Sequence, residues 1–391
     1  MKKKVLLIMP MSTLDFGKKN AGGVDSVCQE ILKQIIKQNS QDFEYRILAF
    51  DPFSEVFYTG NPQQLAANVT VVTAPANEKI CYIPLPGLIS QIIRIQQQIN
   101  DYNPDVVHSH VSPWLVAVNK RRHRIATLHA YKWICRQKVS ILNDFLYVKV
   151  LPGISDFFTD EYTCVGNIIK QDLEKHTTKP IHTIENPINE VFFTKHHRPL
   201  STSINLVTCS VITPRKRLDR VISLVSGLVA RDIDVKLSII GPTNNKSYYE
   251  KLINQIKECK LEHRITFLGR RDPFDIANIY QDSDLGIFLS EEETFGLAPL
   301  EMLASGLPVI ATPVGILAEE KSFFSENGVY YYDDKAGIEP VINFINSYNN
   351  NHGKTPYSSL EKRFTPSSIV TLYENLYNYP QHLNQRKFKS P

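Results

Sequence analysis

The chain has 391 residues, of which 42% are hydrophobic and 21% are charged. This length exceeds the usual size of one domain, so we predict a two-domain protein in which each domain buries its own core. Lys and Arg total 44 and Asp and Glu total 40, which gives a formal net charge of +4. That excess is too small to indicate nucleic-acid binding.

The six cysteines lie far apart and form no CxxC pair. This spacing predicts no zinc site, and we expect a reduced, cytoplasmic protein. The N-terminal run MKKKVLLIMPM is too short for a signal peptide and lacks a cleavage site, so it predicts a buried strand. No apolar segment reaches the ~20 residues needed to cross a bilayer, and any membrane contact is therefore expected to be peripheral.

In the first half of the chain, short apolar runs alternate with helical patterns. Runs that are apolar on both alternating faces, such as VLLIM, are typical of parallel strands buried under helices. The predicted strands are 4–9, 45–50, 69–73, 105–108 and 125–129, and the predicted helices are 24–38 and 88–102.

A charged stretch that contains proline, residues 195–199, precedes a second series. The predicted strands are 204–211, 235–241, 264–269, 284–290 and 308–311, and the predicted helices are 218–231, 248–259, 274–281 and 299–305. This alternation predicts an α/β fold with two Rossmann-like domains, 1–190 and 191–370, and a C-terminal helix near 370–391 that packs back on the first. Because parallel sheets bind ligands at the carboxyl ends of their strands, we expect a ligand cleft between the domains.

The acidic loop 291–298 follows a predicted strand, and Pro299 suits the first position of the next helix. Amides at a helix N-terminus favour anionic or hydroxyl-rich ligands. Glu293 would lie in the loop and Glu301 on the first helical turn, at about the third position. Each glutamate also has a structural explanation, because glutamate at that helix position commonly caps free amides and acidic loops are commonly solvated.

The spacing Glu293-x7-Glu301, with Phe295, Gly296 and Leu297 inside it and ASGLPVIA after it, closely resembles a family signature. It is the signature of retaining glycosyltransferases of family 4 (GT4), which have the GT-B fold of two Rossmann-like domains. The resemblance implies that Glu293 contacts the transferred sugar and that the following amides hold its hydroxyls or the diphosphate. It also implies that Glu301 bonds the ribose of a nucleotide donor.

Gly22 and Gly23, between the first strand and the first helix, resemble the family's glycine loop. Glycines there let the backbone approach a ligand, although a tight turn would also account for them. Lys216, in TPRKRLD, resembles the family lysine that binds the donor diphosphate. A cation suits this point because negative charge grows on the departing phosphate.

The lysine segment departs from the family pattern at two places. Ser210 and Val211 stand where many members have an arginine, and Arg217 stands where glycine is usual. We expect Arg215 or Arg217 to supply the second positive charge. The alternative is a solvated helix start, which three cations at a helix N-terminus make unfavourable.

His129, at the end of predicted strand 125–129, resembles a family histidine beside the donor sugar, and a structural histidine is the alternative. His108 and His110 lie two residues apart and could suggest a metal. No third ligand follows at a supporting spacing, and most members of the family need no metal. We therefore predict neither a metal nor a cofactor, the nucleotide-sugar being a substrate.

The resemblance implies a hexosyltransferase-type enzyme that transfers a sugar, with retention of configuration, to a hydroxyl of a glycan or a lipid-linked glycan, as in polysaccharide biosynthesis. Three alternatives stay open. Glu293 and Glu301 could be the acid and base of a hydrolase, although a hydrolase needs no diphosphate site. The chain could also be a sugar-nucleotide epimerase of the same fold or a non-catalytic sugar-nucleotide-binding protein.

Residues 120–138 include seven basic residues and no acidic one, interleaved with Tyr131 and Trp133. Such a stretch suits an anionic membrane surface or a lipid-diphosphate acceptor, and a solvated basic face is the alternative. We accordingly expect a cytoplasmic protein at the inner face of a membrane. No recognised nucleic-acid module accompanies the stretch, and nucleic acid is not a predicted partner.

Overall fold

The computed structural model describes residues 2–16, 18–77, 79–80, 83–84, 87–129, 151–194, 203–350 and 357–378. The chain divides into two compact units, residues 1–187 with 366–391 and residues 188–365. Each unit contains a mostly parallel sheet with helices, which confirms the predicted α/β class. Each predicted strand and helix of the two series is present, with bounds that differ by at most two residues.

The strands are numbered in chain order through both units. They are β1 Lys3–Pro10, β2 Phe43–Asp51, β3 Gln63–Ala66, β4 Val69–Pro75, β5 Lys79–Ile80, β6 Ile83–Pro84, β7 Val106–Ser109, β8 His123–Leu128, β9 Glu161–Cys164, β10 Ile181–Thr183, β11 Ile204–Cys209, β12 Val235–Ile240, β13 Ile265–Gly269, β14 Leu285–Phe288, β15 Val309–Ala311 and β16 Val329–Tyr331.

The α-helices are also numbered in chain order. They are α1 Gly23–Gln38, α2 Gly87–Tyr102, α3 Leu151–Phe157, α4 Asn167–Leu173, α5 Leu218–Val229, α6 Lys246–Glu258, α7 Pro273–Gln281, α8 Leu297–Ala304, α9 Ile316–Glu319, α10 Lys321–Glu326, α11 Glu339–Asn350, α12 Tyr357–Phe364 and α13 Pro366–Asn378. Short 3-10 helices include Ser112–Ala117 and Pro214–Lys216.

The large sheet of the first unit has the strand order β10-β9-β8-β7-β1-β2-β4-β3 over the described residues. Its neighbours pair in parallel, except β3 with β4. Strand β1 is buried from Val5 to Met9 because both of its faces are covered, as its unbroken apolar run predicts. From β1 the order continues to β2 on one side and to β7 on the other. The loops after β1 and β7 therefore flank a topological switch point, where such sheets bind ligands.

Helix α13 packs on the first unit, although it follows the second unit in sequence. Its apolar face buries Ile369, Tyr373 and Tyr377. The Tyr45 hydroxyl donates to Glu374 Oε1 at 2.9 Å and anchors the outer face of the helix. The side chains of this helix consequently reach strands β2 and β7.

The sheet of the second unit has the order β13-β12-β11-β14-β15-β16, and its strands pair in parallel. Helix α5 buries Val221, Val225 and Leu228, whose spacing places them on one helical face against the sheet. The switch point of this sheet lies between β11 and β14. The loops that follow these two strands contain Lys216 and Glu293.

A search of the described helices for a segment of sufficient length and hydropathy to span a bilayer found none.

At one edge of the first sheet, the Glu161 carboxylate joins three strands. His123 Nε2 on β8 is 3.1 Å from Oε1, and His182 Nε2 on β10 is 2.9 Å from Oε2. Burial raises the pKa of Glu161, but the hydrogen bonds from both imidazoles outweigh burial and lower it from 4.5 to about 2.

A carboxylate whose pKa is lowered by folding stabilises the folded state above its ordinary pKa, and this contribution is lost as the pH falls through the folded value. We expect Glu161→Gln to lower the free energy of unfolding at neutral pH by about 1 to 3 kcal/mol. The difference from wild type should shrink between about pH 5 and pH 2. Urea unfolding at neutral and acidic pH measures both, with the exposed Glu174→Gln as control. A difference that does not change with pH would contradict the assignment.

Candidate functional site

Two loops at the switch point of the second unit bring a lysine and a glutamate together. Lys216 lies in the 3-10 helix that follows β11, and Glu293 lies in the loop that follows β14. The Lys216 ammonium donates to Glu293 Oε1, and the two side chains are only 15% and 11% exposed. Two predicted site residues 77 positions apart in sequence thus form a partly buried ion pair at the carboxyl ends of parallel strands.

Ser290 fixes the two loops to each other. Its hydroxyl lies 2.7 Å from Glu293 Oε1 and 3.3 Å from the Arg215 carbonyl oxygen. The Glu291 N–H donates to the same carbonyl at 2.9 Å, and Thr312 Oγ1 donates to the Ser290 carbonyl at 2.5 Å. Sequence reasoning missed Ser290, although its place beside the glutamates just after a buried strand is a usable signal.

The helix after the glutamate loop begins earlier than predicted. Helix α8 spans Leu297–Ala304 instead of 299–305, so Pro299 is its third residue and Glu301 its fifth. The predictions of Pro299 in the first position and of Glu301 on the first turn are therefore wrong. Gly296 causes the difference, because its left-handed φ of 94° turns the chain directly into the helix, and Pro299 is tolerated in a first turn whose amides have no intrahelical acceptor.

Helix α8 begins shortly after Glu293 in the sequence. Its N-cap, Gly296, provides no side-chain cap, and the helix dipole adds partial positive charge there. Glu301, on the next turn, lies near the end of β11, where burial and the Glu301 charge together raise the pKa of Cys209 to about 12. Glu301 thus lies at the same edge of the sheet as Lys216.

Arg217 occupies the position at which the family usually has glycine, and its backbone is left-handed with φ 49°. Its guanidinium binds Asp219 at 3.1 Å and lies 3.9 Å from Glu291. Asp219 in turn accepts from the Tyr248 hydroxyl at 2.8 Å. Asp219, in the first turn of α5, therefore offsets the unfavourable positive charge at this helix start.

The remaining positions of this segment differ in what they contribute. Arg215 brings a charged side chain and a carbonyl that holds the glutamate loop. Ser210 and Val211 bring no charge, and the Ser210 hydroxyl is buried without a hydrogen-bond partner in the described part of the chain. The second cation of the family pattern is thus not replaced at its usual position.

Phe295 is buried, and its carbonyl accepts from the Ile316 N–H at 2.9 Å. Gly315 lies directly against that carbonyl, since a Cβ there would stand 2.3 Å from the Phe295 oxygen. The φ of Gly315 is 56° with ψ −138°, a backbone region that is open almost only to glycine. This contact therefore sets the position of the loop that carries Glu293.

We expect Gly315→Ala to lower the free energy of unfolding by about 2 to 4 kcal/mol, because it adds a backbone clash to conformational strain. Gly337→Ala is the matched control, since Gly337 has a similar backbone (φ 75°, ψ −167°) but open space around a Cβ. Thermal or urea unfolding of both variants separates the two effects. Equal losses would show that the contact with Phe295 contributes nothing.

In the first unit, the predicted glycine loop ends at α1. Gly22 is the N-cap of this helix, with φ 147°, and Gly23 is its first residue. A Cβ at either position would meet no protein atom within 4 Å, so packing does not require these glycines. The loop is held instead by the buried Asp25, which accepts from the Ser12 N–H at 3.0 Å and the Ala21 N–H at 2.6 Å.

His129 is half-buried just after β8, and both of its ring nitrogens have partners. Nε2 is 2.8 Å from His110 Nδ1, and Nδ1 is 3.2 Å from Asn186 Oδ1. Burial lowers the pKa of His129 to about 4, so the ring is neutral at pH 7. His108 and His110 lie nearby, but within the described residues no three potential ligands are arranged to hold a metal ion.

The predicted basic stretch is only partly described, because 130–150 lie outside the described residues. Two of its cations bind within the first unit. Arg122 donates to the Pro104 carbonyl at 2.8 Å, and the buried Arg124 pairs with Asp160 at 2.6 Å and 3.0 Å. Lys120 and Arg121 are exposed and Arg122 is half-buried, whereas the buried Arg124 does not lie on the basic surface that the stretch predicts.

Two family models match the chain. The model "Glycosyltransferase Family 4" matches residues 21–191, and the model "Glycosyl transferases group 1" matches residues 193–331. The chain is also 28% identical over 210 residues to N-acetyl-alpha-D-glucosaminyl L-malate synthase of Bacillus anthracis. That alignment covers 51% of this chain and 54% of the relative, so the similarity spans about half the length of each.

Solved structures with the same architecture match nearly the whole chain. Sucrose-phosphate synthase from Thermosynechococcus elongatus has a TM-score of 0.72 at 15% identity and covers 98% of this chain and 100% of its own. Anabaena Alr3699/HepE in complex with UDP and glucose has a TM-score of 0.68 at 17% identity and covers 96% and 100%. At these identities the likeness establishes the fold, which is that of GT-B glycosyltransferases.

Proposed function

The chain belongs to glycosyltransferase family 4, and on this basis we propose that it transfers a sugar from a nucleotide-sugar donor to a hydroxyl acceptor with retention of the anomeric configuration. The observation that carries the proposal is the Lys216–Glu293 ion pair at the carboxyl ends of β11 and β14. A cation and a carboxylate at this point match the two ends of a sugar diphosphate, since the phosphates are anionic and the sugar offers hydroxyl donors.

In the proposed complex, the diphosphate takes the place that Glu293 holds beside the Lys216 ammonium. The released Glu293 carboxylate then accepts from sugar hydroxyls, and the main-chain amides of Gly296 and Leu297 at the start of α8 face the anionic groups. This exchange is physically reasonable because one ammonium has three donors and can bind both anions in turn. Partial burial strengthens each contact over its value in water.

The other predicted residues are proposed to bind further parts of the donor. Glu301 is proposed to bind the ribose, and Arg215 and Arg217 are the candidates for the second phosphate-binding cation. Arg217 is held by Asp219, which orients its guanidinium. In the first unit, Gly22, Gly23 and His129 are proposed to bind the diphosphate and the sugar.

The proposed chemistry requires no carboxylate nucleophile. The acceptor hydroxyl attacks the face from which the nucleotide departs, the bond from the anomeric carbon to the phosphate oxygen breaks, and a donor phosphate oxygen takes the hydroxyl proton. Lys216 and the helix amides stabilise the charge that develops on the leaving diphosphate. Glu293, which hydrogen bonds and an ion pair hold in place, serves to position the sugar.

UDP is the nucleotide that we propose for the donor, because the similar Anabaena structure contains UDP and glucose. The similar relative from Bacillus anthracis is named as a synthase of N-acetyl-alpha-D-glucosaminyl L-malate. A hexose or N-acetylhexosamine is therefore the proposed sugar. The proposed acceptor is a hydroxyl of a glycan or a lipid-linked glycan, as in polysaccharide biosynthesis.

Lys216→Ala and Glu293→Gln should change UDP binding in opposite directions. Loss of the ammonium should raise the Kd for UDP roughly 10- to 100-fold. Loss of the competing carboxylate should lower it roughly fivefold, a change of about 1 kcal/mol, while turnover of the UDP-sugar falls roughly 100-fold. Calorimetry and a thermal-shift screen of UDP-, GDP- and dTDP-sugars measure these effects.

The exposed Lys251→Ala and Glu292→Gln are matched controls for a general change in charge. Tightening by Glu292→Gln as large as that by Glu293→Gln would contradict the exchange of anions. Failure of every nucleotide-sugar to shift the melting temperature would contradict the proposed function. Conversion of the donor without an acceptor would favour the epimerase, and binding without turnover would favour the non-catalytic protein. NMR of the anomeric centre in the product tests whether the configuration is retained.

We also propose that the first unit contacts an anionic membrane surface. Lys120 Nζ lies 4.2 Å from the Phe157 ring centroid, and Phe157 and Ile154 on α3 are 62% and 43% exposed. Exposed apolar side chains beside cations are typical of peripheral membrane contacts. This small surface and the exposed Arg121 would lie against the anionic headgroups.

Charge reversal of Lys120 and Arg121 should weaken binding to vesicles that contain phosphatidylglycerol by at least about 2 kcal/mol, because each of the two cations lost contributes about 1 kcal/mol and the added negative charges are repelled. Co-sedimentation with such vesicles measures the effect, and phosphatidylcholine vesicles should bind neither protein. Reversal of the exposed Lys251 and Lys257 in the second unit is the control. Equal vesicle binding by the wild type and the Lys120/Arg121 variant would contradict the membrane proposal.

A further inference from the structure

A group of three histidines lies at the carboxyl ends of β7 and β8. His110 directly follows β7, and its N–H donates to the Ile8 carbonyl of β1 at 3.0 Å. His129 directly follows β8, the neighbour of β7 in the sheet. His110 is therefore fixed through its backbone at the switch point of the first unit, beside a residue with a proposed role at the sugar.

The His110 and His129 rings meet edge to edge. Their ring planes are inclined by only 16° and their centroids are 5.0 Å apart, while His110 Nδ1 and His129 Nε2 are 2.8 Å apart. With the centroids this far apart, the two nitrogens can be in contact only if each points at the other ring. Both nitrogens therefore lie close to the line that joins the ring centres. The contact is thus a hydrogen bond of normal length and good alignment.

Asn186 determines the direction of this hydrogen bond. Its Oδ1 can only accept, so His129 Nδ1 carries a proton. Burial lowers the pKa of both histidines, and a neutral imidazole has one N–H and one lone pair. His129 Nε2 is consequently the acceptor and His110 Nδ1 the donor.

His108 supports the His110 ring from one face. The two ring centroids are 4.8 Å apart, with planes inclined by 29°. His108 is itself held at both nitrogens, by the Tyr377 hydroxyl at 2.7 Å and by Thr127 Oγ1 at 2.6 Å. Packing on this fixed ring restricts rotation of His110 about its side-chain bonds.

The other nitrogen of His110 makes no competing contact. Nε2 is buried and has no hydrogen-bond partner among the residues that the structure describes. A buried polar atom without a partner costs free energy, so the presence of imidazole here instead of an apolar ring needs a reason. The hydrogen bond from Nδ1 to His129 supplies that reason.

We propose that His110 is a positioning residue that holds His129 in the tautomer with its proton on Nδ1 and fixes the orientation of that ring for sugar transfer. The inference rests on the proposed function, because sugar transfer is the reaction for which the His129 ring would be oriented. A neutral, fixed ring suits a site where the anomeric carbon becomes positively charged, since an imidazolium beside it would raise the energy of the transition state.

NMR of the full chain labelled with ¹⁵N-histidine tests the tautomer without any donor. His129 should show a protonated Nδ1 and an unprotonated Nε2 from about pH 6 to pH 8. Its signals are identified by their absence in His129→Gln. A proton on Nε2 of wild-type His129, or a charged ring in this pH range, would overturn the inference even if no variant folds.

Two variants separate the hydrogen bond from packing. His110→Phe keeps an aromatic ring against His108 but has no donor, whereas His110→Asn retains an N–H near the position of Nδ1. The Nε2-protonated fraction of His129 should rise in His110→Phe and stay low in His110→Asn. An unchanged His129 tautomer in a folded His110→Phe protein would overturn the proposal.

Turnover of UDP-glucose or UDP-N-acetylglucosamine, whichever is the better donor, gives the second readout. The kcat of His110→Phe should fall roughly 10- to 100-fold with little change in KM, by analogy with the loss of partners that orient metal-bound imidazoles. His110→Asn should recover most of the loss. A change of tautomer in His110→Phe without a change in kcat would overturn the positioning role. If the wild type shows the expected His129 tautomer but turns over no donor, the result would contradict the proposed function instead.

Discussion

The partly buried ion pair between Lys216 and Glu293 is the interaction on which the functional interpretation depends. The pair exists because β11 and β14 are adjacent and parallel, so that the loops after both strands leave the same edge of the sheet. An ion pair in such a position contributes little to stability, because the desolvation of both charges offsets most of their attraction. We therefore interpret the pair as part of a binding site for a ligand whose charge is opposite to that of lysine.

The surrounding structure limits the freedom of this pair. Ser290 joins the loop of Glu293 to the loop of Lys216, and Gly315 holds the Phe295 carbonyl in place. Asp219 does the same for Arg217. In the proposed complex a diphosphate would therefore displace one carboxylate from loops that are already held in place, which would lower the cost of binding.

The two units place different chemical groups at the carboxyl ends of their strands. In the second unit, fixed positive charge and helix amides lie at the switch point. In the first unit, neutral imidazoles lie at the carboxyl ends of the strands, where desolvation lowers the pKa of His108 to about 3 and keeps the half-buried His129 uncharged. Positive charge suits a departing phosphate, and neutral donors and acceptors suit a sugar that becomes cationic.

Much of the fold was predictable because the strands are buried on both faces. The run VLLIM and the alternation after residue 204 leave few other ways to bury apolar side chains. The additional strands β3, β5, β6, β9, β10 and β16 were not predicted. They are short, and β9 contains Glu161, Tyr162 and Thr163, whose burial depends on partners in other strands.

The candidate site was predictable where its residues are close in sequence and less so where partners are distant. The glutamate spacing predicted Glu293 and Glu301 as site residues, but the helix start was misplaced because the sequence does not reveal that Gly296 adopts a left-handed turn. His110 was noticed as a possible metal ligand, whereas its contact with His129 arises from the pairing of β7 with β8. Arg124 looked like a surface cation because its partner, Asp160, is remote in sequence.

A crystal structure of the chain with bound UDP is the decisive measurement. We predict a diphosphate oxygen within hydrogen-bond distance of Lys216 Nζ at the carboxyl ends of β11 and β14, with the Glu293 carboxylate moved away from that ammonium. UDP bound elsewhere on the molecule, or bound here while Lys216 remains on Glu293 and touches no phosphate, would contradict the proposed donor site.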